Sequence, residues 1–191
     1  MTVIDASVAS SALLEHRWLS PPIATEPDTV PSHDQLPGLD AMEQSCWQTF
    51  LESSTRLLET LNRRLMTAHR LTMFDFLVLD VLAKSRGRSA RMGDLAQTLV
   101  VGPSRVTQQV QRLEADGLVR RSRSADDGRV VIASITRNGL MRVKPAAHTY
   151  GRQIRKHYLD QMSRNQMIAM GDSCRRISTP LAGAEDPERL F

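Results

Sequence analysis

Residues 91–136 read RMGDLAQTLVVGPSRVTQQVQRLEADGLVRRSRSADDGRVVIASIT, and the spacing within this stretch decides the fold. Met92, Leu95, Ala96 and Leu99 recur at i, i+3, i+4 and i+7, one face of a helix. Val100, Val101 and Gly102 then make a turn. Gly102 has the backbone freedom for a sharp reversal, and Pro103 suits the first position of a following helix. In that helix Val106, Val110 and Leu113 form an apolar stripe that packs inward. Arg105, Gln108, Gln109 and Arg112 form a second stripe on another face, expected to point outward. Gly117 is placed to close the helix.

A hairpin follows. Leu118-Val119 and Val130-Val131-Ile132 flank a polar loop holding Arg120, Arg121, Arg123, Asp126, Asp127, Gly128 and Arg129. β-Branched flanks around a Gly-containing tip predict two short strands. Taken alone, the polar helix face is that of any amphipathic surface helix. A basic hairpin beside it separates the readings. Helix, turn, helix and basic hairpin make a winged helix-turn-helix, which reads double-stranded DNA. Arg suits a guanine edge and Gln an adenine edge. The candidate DNA contacts are Pro103, Ser104, Arg105, Thr107, Gln108, Gln109 and Arg112 on the helix, with Arg121, Arg123, Asp127 and Arg129 on the hairpin.

The run LEADGLVRRSRSADDGRVVIASITRNG, residues 113–139, resembles the signature of the MarR family of bacterial transcription regulators. Leu113, Gly117, Leu118, Val119, Asp127, Arg129, Ile135, Thr136 and Gly139 carry the resemblance, which extends over residues 42–180. It implies a mainly α fold with a small β-wing, in which the N- and C-terminal helices form the core of a homodimer. It also implies a repressor acting on a pseudo-palindromic operator. Arg129 would enter the minor groove, and Asp127 would orient it through a charge-assisted bond. Many relatives carry Thr-Arg in mid-helix where this chain has Thr107-Gln108, so base preference departs there. The resemblance further implies release by a small aromatic or phenolic effector, bound between the dimer core and the winged domain. Trp47, Phe50, Met66, His69, Met73 and Phe74 are the candidates to line that site, although the same residues also read as plain core.

Composition agrees with a polyanion partner. The chain has 191 residues, a formal net charge of +4 and 41% hydrophobic residues, enough for one domain with appendages. Residues 1–40 hold Arg17 against Asp5, Glu15, Glu26, Asp28, Asp34 and Asp40, a net −5. The tail sets Glu185, Asp186 and Glu188 against Arg189, a net −2, so the middle carries +11. Lys84, Lys144 and Lys156 are the only lysines among 25 basic residues, and arginine suits bidentate recognition better. Heparin retention would separate such a chain from an enzyme for small neutral substrates.

Other function classes find little in the sequence. There is no phosphate loop, no Gly-x-Ser-x-Gly elbow and no His-Glu-x-x-His motif, so no enzyme, catalytic residue or cofactor is expected. His148 and His157 lie nine apart on one predicted helix and point to opposite faces, so no metal site is expected. Cys46 and Cys174 form no metal-type cluster. With no long apolar run and no basic start, neither a membrane partner nor a secretory signal is expected, and the default is the cytoplasm. Two alternatives stay open. One is a thiol-based oxidant sensor through Cys46, near the start of a helix. The other is a non-catalytic scaffold dimer that binds protein.

The expected organisation has four parts. Residues 1–40 are an acidic, Pro-rich arm with a short helix over Ala6–Leu19, whose Leu13, Leu14 and Trp18 would anchor it on the dimer core. Residues 41–70 and 137–180 supply dimerisation helices, 71–136 the winged domain and 181–191 an acidic tail. Trp47, Phe50, Leu51, Leu57, Leu58, Leu61 and Leu65 mark the first long helix. Thr72 is a plausible N-cap for the second, with Asp75 at its third position; that helix ends near Ser85–Gly87. Thr136 caps a long helix to about Leu159, which Pro145 should bend or break. A last helix should run from about Ser163 to Ser178 and stop at Pro180.

Overall fold

The computed structural model describes residues 36–125 and 127–184. Asp40 and Glu43 exchange backbone amides, a capping box that opens helix α1 (Ala41–His69). The chain then forms α2 (Met73–Lys84), β1 (Ser89–Arg91), α3 (Met92–Leu99) and α4 (Pro103–Ala115). Strands β2 (Val119–Arg123) and β3 (Val131–Ile135), then helices α5 (Arg137–His157) and α6 (Arg164–Ala184), complete it. The expected arm helix, most of the arm, the tail beyond Ala184 and Asp126 lie outside the described residues.

The first turn of α2 is fixed as its sequence predicts. Thr72 accepts the Asp75 amide at 3.0 Å, and the Asp75 carboxylate accepts the Thr72 amide at 2.7 Å. Behind it Phe76, Val78, Leu79 and Leu82 are fully buried with Leu95, Val106, Val110, Leu113 and Val143. This one core joins α2, α3, α4, the sheet and α5. Tyr150 packs its ring 4.7 Å from Phe76, and burial raises its phenol above the ordinary value.

Strand β1 was not foreseen. It is three residues long, too short for an alternating pattern. It pairs antiparallel with β3, from Ser89 opposite Ser134 to Arg91 opposite Ile132. The sheet order is β1-β3-β2, so β3 is central.

The turn between α3 and α4 does not use Gly102 for its reversal. Gly102 sits at φ −61°, an ordinary N-cap value, and Val100 takes the left-handed conformation at φ 52°. The reason lies in the helix end. The Val100 amide donates to Gln97 O and the Val101 amide to Ala96 O, which closes α3. Val101 packs against the core while Val100 stands in solvent. After α4 the left-handed position is Gly117, as expected, at φ 70°.

Thr136 and Gly139 lock α5 to the start of the wing. The Thr136 amide donates to Leu118 O at 3.0 Å, and its hydroxyl lies 2.8 Å from Gly117 O. The same hydroxyl accepts the Gly139 amide at 3.1 Å as the N-cap of α5. A Cβ on Gly139 would stand 2.3 Å from Leu118 O and 2.6 Å from the Ile135 side chain.

Neither interior proline breaks its helix. Helix α5 stays continuous through Pro145 and ends at His157, with one further tight turn at Leu159–Gln161. An interior proline costs about 3 kcal/mol, and burial of Val143, Ala146 and Thr149 on the same helix offsets it. Helix α6 does not stop at Pro180 but runs to Ala184. Pro180 forfeits one bond, to the carbonyl of Arg176, on a stretch of helix that is exposed and open to water.

Helix α6 leaves every described side chain exposed except that of Met167. Met167, Met170, Cys174, Ile177 and Leu181 follow one another at alternating spacings of three and four, the repeat of a coiled-coil seam. On α1, Phe50, Leu51 and Leu58 are exposed as well, and Trp47 stacks on Phe50 with ring centroids 5.8 Å apart.

Gly139→Ala is expected to destabilise the fold by about 1–3 kcal/mol, the usual range for an overpacked core. Denaturant unfolding checks this. A loss within about 0.5 kcal/mol, typical of neutral surface sites, would show that the junction yields to a methyl group.

Candidate nucleic-acid interface

Helix α4 has three distinct sides. Val106, Val110 and Leu113 are completely buried. At 100° per residue the side opposite them carries Ser104, Gln108 and Gln111, all exposed. These three are the outermost groups of the helix. Gln111 was not singled out from sequence, although it completes the i, i+4, i+7 series with Ser104 and Gln108. Thr107, beside them, turns its hydroxyl back to Pro103 O at 2.9 Å.

The stripe expected to face outward is split by the structure. Gln108 does face out, but Gln109 is half-buried, and Arg105, Gln109 and Arg112 lie along the flank that meets α2. The Arg105 guanidinium sits 4.9 Å from the centroid of the Phe74 ring. Gln109 and Arg112 both donate to Asp75 Oδ1. Asp75 is only 5% exposed, so Arg112 is the cation that balances a buried carboxylate. Stripping the partner from a fully buried pair costs about 3–5 kcal/mol, and less here because Arg112 stays half exposed. The Thr-x-x-Asp cap was legible in the sequence; its second use was not.

The opposite flank of α4 meets the wing. Glu114 receives the Arg121 amide at 2.8 Å and its guanidinium at 2.7 Å. The Arg121 backbone amide and then its side chain hold the Glu114 carboxyl below its ordinary value of 4.5. Arg121 is therefore half-buried and paired, whereas Arg120, Arg123 and Arg129 stand exposed. Strands β2 and β3 run in register from Val119 opposite Ile135 to Arg123 opposite Val131. At the tip Asp127 accepts the backbone amide of Arg129 at 2.9 Å. The charge-assisted bond expected between them thus shapes the loop and does not hold the guanidinium, which makes no ion pair among the described residues. A groove of about 400 Å³ between the start of α3, Thr107 of α4 and the wing is lined by Arg91, Arg121 and Arg129, with Asp94 as its one acid among the described residues. Arg91, just before α3, is a basic group the sequence reading left out.

The expected effector-site residues do not come together. A cavity of about 770 Å³ lies between α1, the start of α2 and α4, and only Met73 and Phe74 of the six candidates line it. Thr55, Leu58, Glu59 and Asn62 supply the α1 side, at i, i+3, i+4 and i+7. Asn62 Oδ1 accepts the Met73 amide at 2.8 Å. Met66 and His69 lie past Asn62 along α1, where His69 bonds Thr149 at 2.8 Å and Met66 is exposed. Trp47 and Phe50 lie before the α1 stretch that meets the cavity, and they stack on each other. Cys46 and Cys174 are both free and exposed.

A sequence profile of the MarR family matches residues 56–130. AbsC, a MarR family transcriptional regulator from Streptomyces coelicolor, has 30% identity and a TM-score of 0.74, over 78% of this chain and 99% of its own. The chain belongs to the MarR family of transcriptional regulators. Sco3205, a MarR family regulator from the same organism, was solved in complex with DNA. It has 29% identity and a TM-score of 0.73, over 75% of this chain and 90% of its own. BldR, a transcriptional regulator from Sulfolobus solfataricus, has 25% identity and a TM-score of 0.59, over 71% and 96%. No curated protein sequence matches this MarR chain. Among the described residues, no helix is long and apolar enough to cross a membrane.

The Glu114–Arg121 pair gives a pH signature. Because the folded value of Glu114 lies below 4.5, the pair contributes stability above that pH and loses it as pH falls through the lower folded value. Melting temperatures of the wild type should therefore fall below pH 4.5, and Glu114→Gln should flatten that fall. Parallel pH profiles of the two proteins would count against the pairing.

Proposed function

We propose that this chain is a homodimeric, sequence-specific repressor that binds one pseudo-palindromic duplex. The observation that carries the reading is the side-by-side placement of the exposed α4 face, Ser104, Gln108 and Gln111, and the basic wing with Arg123 and Arg129. Such a helix reads a major groove while the wing reaches the adjacent minor groove or backbone. Arg91 and Arg129, in the groove between them, suit a phosphate. Sco3205, similar in fold and sequence, was solved with DNA, which supports the same use here.

Association is supported by the bare seam of α6 and the exposed apolar groups of α1. Contiguous apolar surface of this kind marks a protein contact, and a second copy supplies the matching surface. Two α4 helices related by a two-fold axis would then meet successive major grooves about 34–36 Å apart.

A small aromatic acid is the effector class that the 770 Å³ cavity fits. Its volume is in the usual range for ligand sites, about 300–1,000 Å³. Leu58, Met73 and Phe74 offer apolar walls, and Arg105 and Arg112 offer cations against the single carboxylate of Glu59. Gln108 borders the same cavity, so an occupant would touch the DNA-reading helix directly.

Light scattering should give a dimer, and footprinting should give two half-sites. Arg129→Ala should lower affinity for all sequences and reduce the slope of log K against log salt by about 0.9. Gln108→Ala should instead relax base preference at one position, costing about 1–3 kcal/mol. A monomer that binds one half-site at full affinity, or an unchanged salt slope in Arg129→Ala, refutes the reading.

Effector binding should weaken DNA by the same factor by which DNA weakens the effector. Anisotropy of a labelled duplex, titrated with a panel of aromatic acids, measures both. A panel that moves neither DNA affinity nor melting temperature removes the effector from the proposal.

A further inference from the structure

Asp75 belongs to α2, which the DNA reading leaves without a part, yet it holds two side chains of the reading helix. Its four acceptor positions are all used. Oδ2 takes the Thr72 amide at 2.7 Å and the Thr72 hydroxyl at 2.6 Å. Oδ1 takes Gln109 Nε2 and Arg112 Nη2. A carboxylate has about four lone-pair sites, so nothing further can be added. Thr72 is filled in the same way: its hydroxyl accepts the Asp75 amide at 3.0 Å and lies 3.3 Å from Arg112 Nη2. Arg112 is the only cation paired with Asp75 among the described residues.

We propose that Asp75 is a specificity-determining positioning residue, which clamps Gln109 and Arg112 against α2 and leaves DNA reading to Ser104, Gln108 and Gln111. This rests on the reading of α4 as the recognition helix. The reasoning is electrostatic and geometric. Gln109 and Arg112 lie three residues apart on α4, so two bonds to one buried oxygen fix the rotation of the helix about its axis. They also fix which groups point outward. An arginine free to sweep the outer face would pair with phosphate on any sequence, since phosphate contacts position a protein without specifying a base. Held by Asp75, Arg112 is withdrawn from that sequence-independent attraction. Release on DNA would leave a buried carboxylate without its cation, which opposes the switch.

The clamp is tested on the full chain by salt titrations with a random-sequence duplex and with a site selected from a random library. Asp75→Asn keeps the shape and removes the charge that holds Arg112. It should steepen the slope of log K against log salt by about 0.9, one more phosphate neutralised. Random-duplex affinity should rise more than selected-site affinity, so the specificity ratio falls. Arg112→Gln should keep the parent slope, and the double variant Asp75→Asn/Arg112→Gln should return to it. An Arg112→Gln slope shallower by about 0.9 would mean that Arg112 already sits on a phosphate, which overturns the proposal. So would an Asp75→Asn variant with parent slope and ratio, because Asp75 would then be a helix cap alone. If Asp75→Asn does not fold, the Arg112→Gln arm still decides. Failure of the DNA reading looks different, because the parent itself then shows no salt-dependent duplex binding. In that case a double-mutant cycle in melting temperature, with Asp75→Asn and Arg112→Gln, still measures whether the two residues are coupled; additive effects would overturn the clamp.

Discussion

One backbone carbonyl, that of Leu118, holds the reading apparatus together. It lies between the end of α4 and the first strand of the wing, and it accepts the Thr136 amide. Thr136 in turn caps α5, whose third residue must lack a side chain because that carbonyl occupies the space. Recognition helix, wing and the long helix behind them therefore share a single point of close approach. The relation between the helix and the wing follows from this contact and from the Glu114–Arg121 pair, the first on the core side and the second on the surface.

Within that frame α4 divides its labour by face. One side is apolar and supplies the middle of the core. One flank is tied to α2 through Asp75, the other to the wing through Glu114. The remaining side, with Ser104, Gln108 and Gln111, carries no tether to either among the described residues. Both tethers pair an acid with an arginine, and each uses an arginine that simple charge counting would have assigned to DNA. The basic character of residues 41–181 thus overstates the charge available to phosphates.

Much of this was legible from residue spacing. The apolar stripe Val106, Val110, Leu113 and the turn residue Gly117 are local signals, and the structure places them as read. The Thr72 cap and the Thr136–Gly139 junction follow from residue types whose hydroxyl or missing side chain has one main use. What spacing could not supply was pairing across the chain. Gln109 and Arg112 lie 34 and 37 residues from Asp75 in sequence, and no periodicity links them. The effector candidates scatter for a related reason, since composition identifies bulky residues but not which side of α1 faces the cavity. Val100 misled because the left-handed position normally goes to glycine, and a glycine stood two residues away. Strand β1 was invisible because its three residues acquire meaning only from the strand they pair with.

The wing arginines have a second consequence, independent of nucleic acid. In a sheet ordered β1-β3-β2 both β1 and β2 are edge strands, and on β2 the Arg121 amide is already taken by Glu114. Such edges invite intermolecular strand addition unless charge guards them. Strand β2 carries Arg120, Arg121 and Arg123, and β1 ends in Arg91. Replacing the exposed Arg91, Arg120 and Arg123 with neutral side chains would remove electrostatic repulsion between like edges as well as charge available to a polyanion. A substitution made there to test DNA binding would therefore bear on solubility as well.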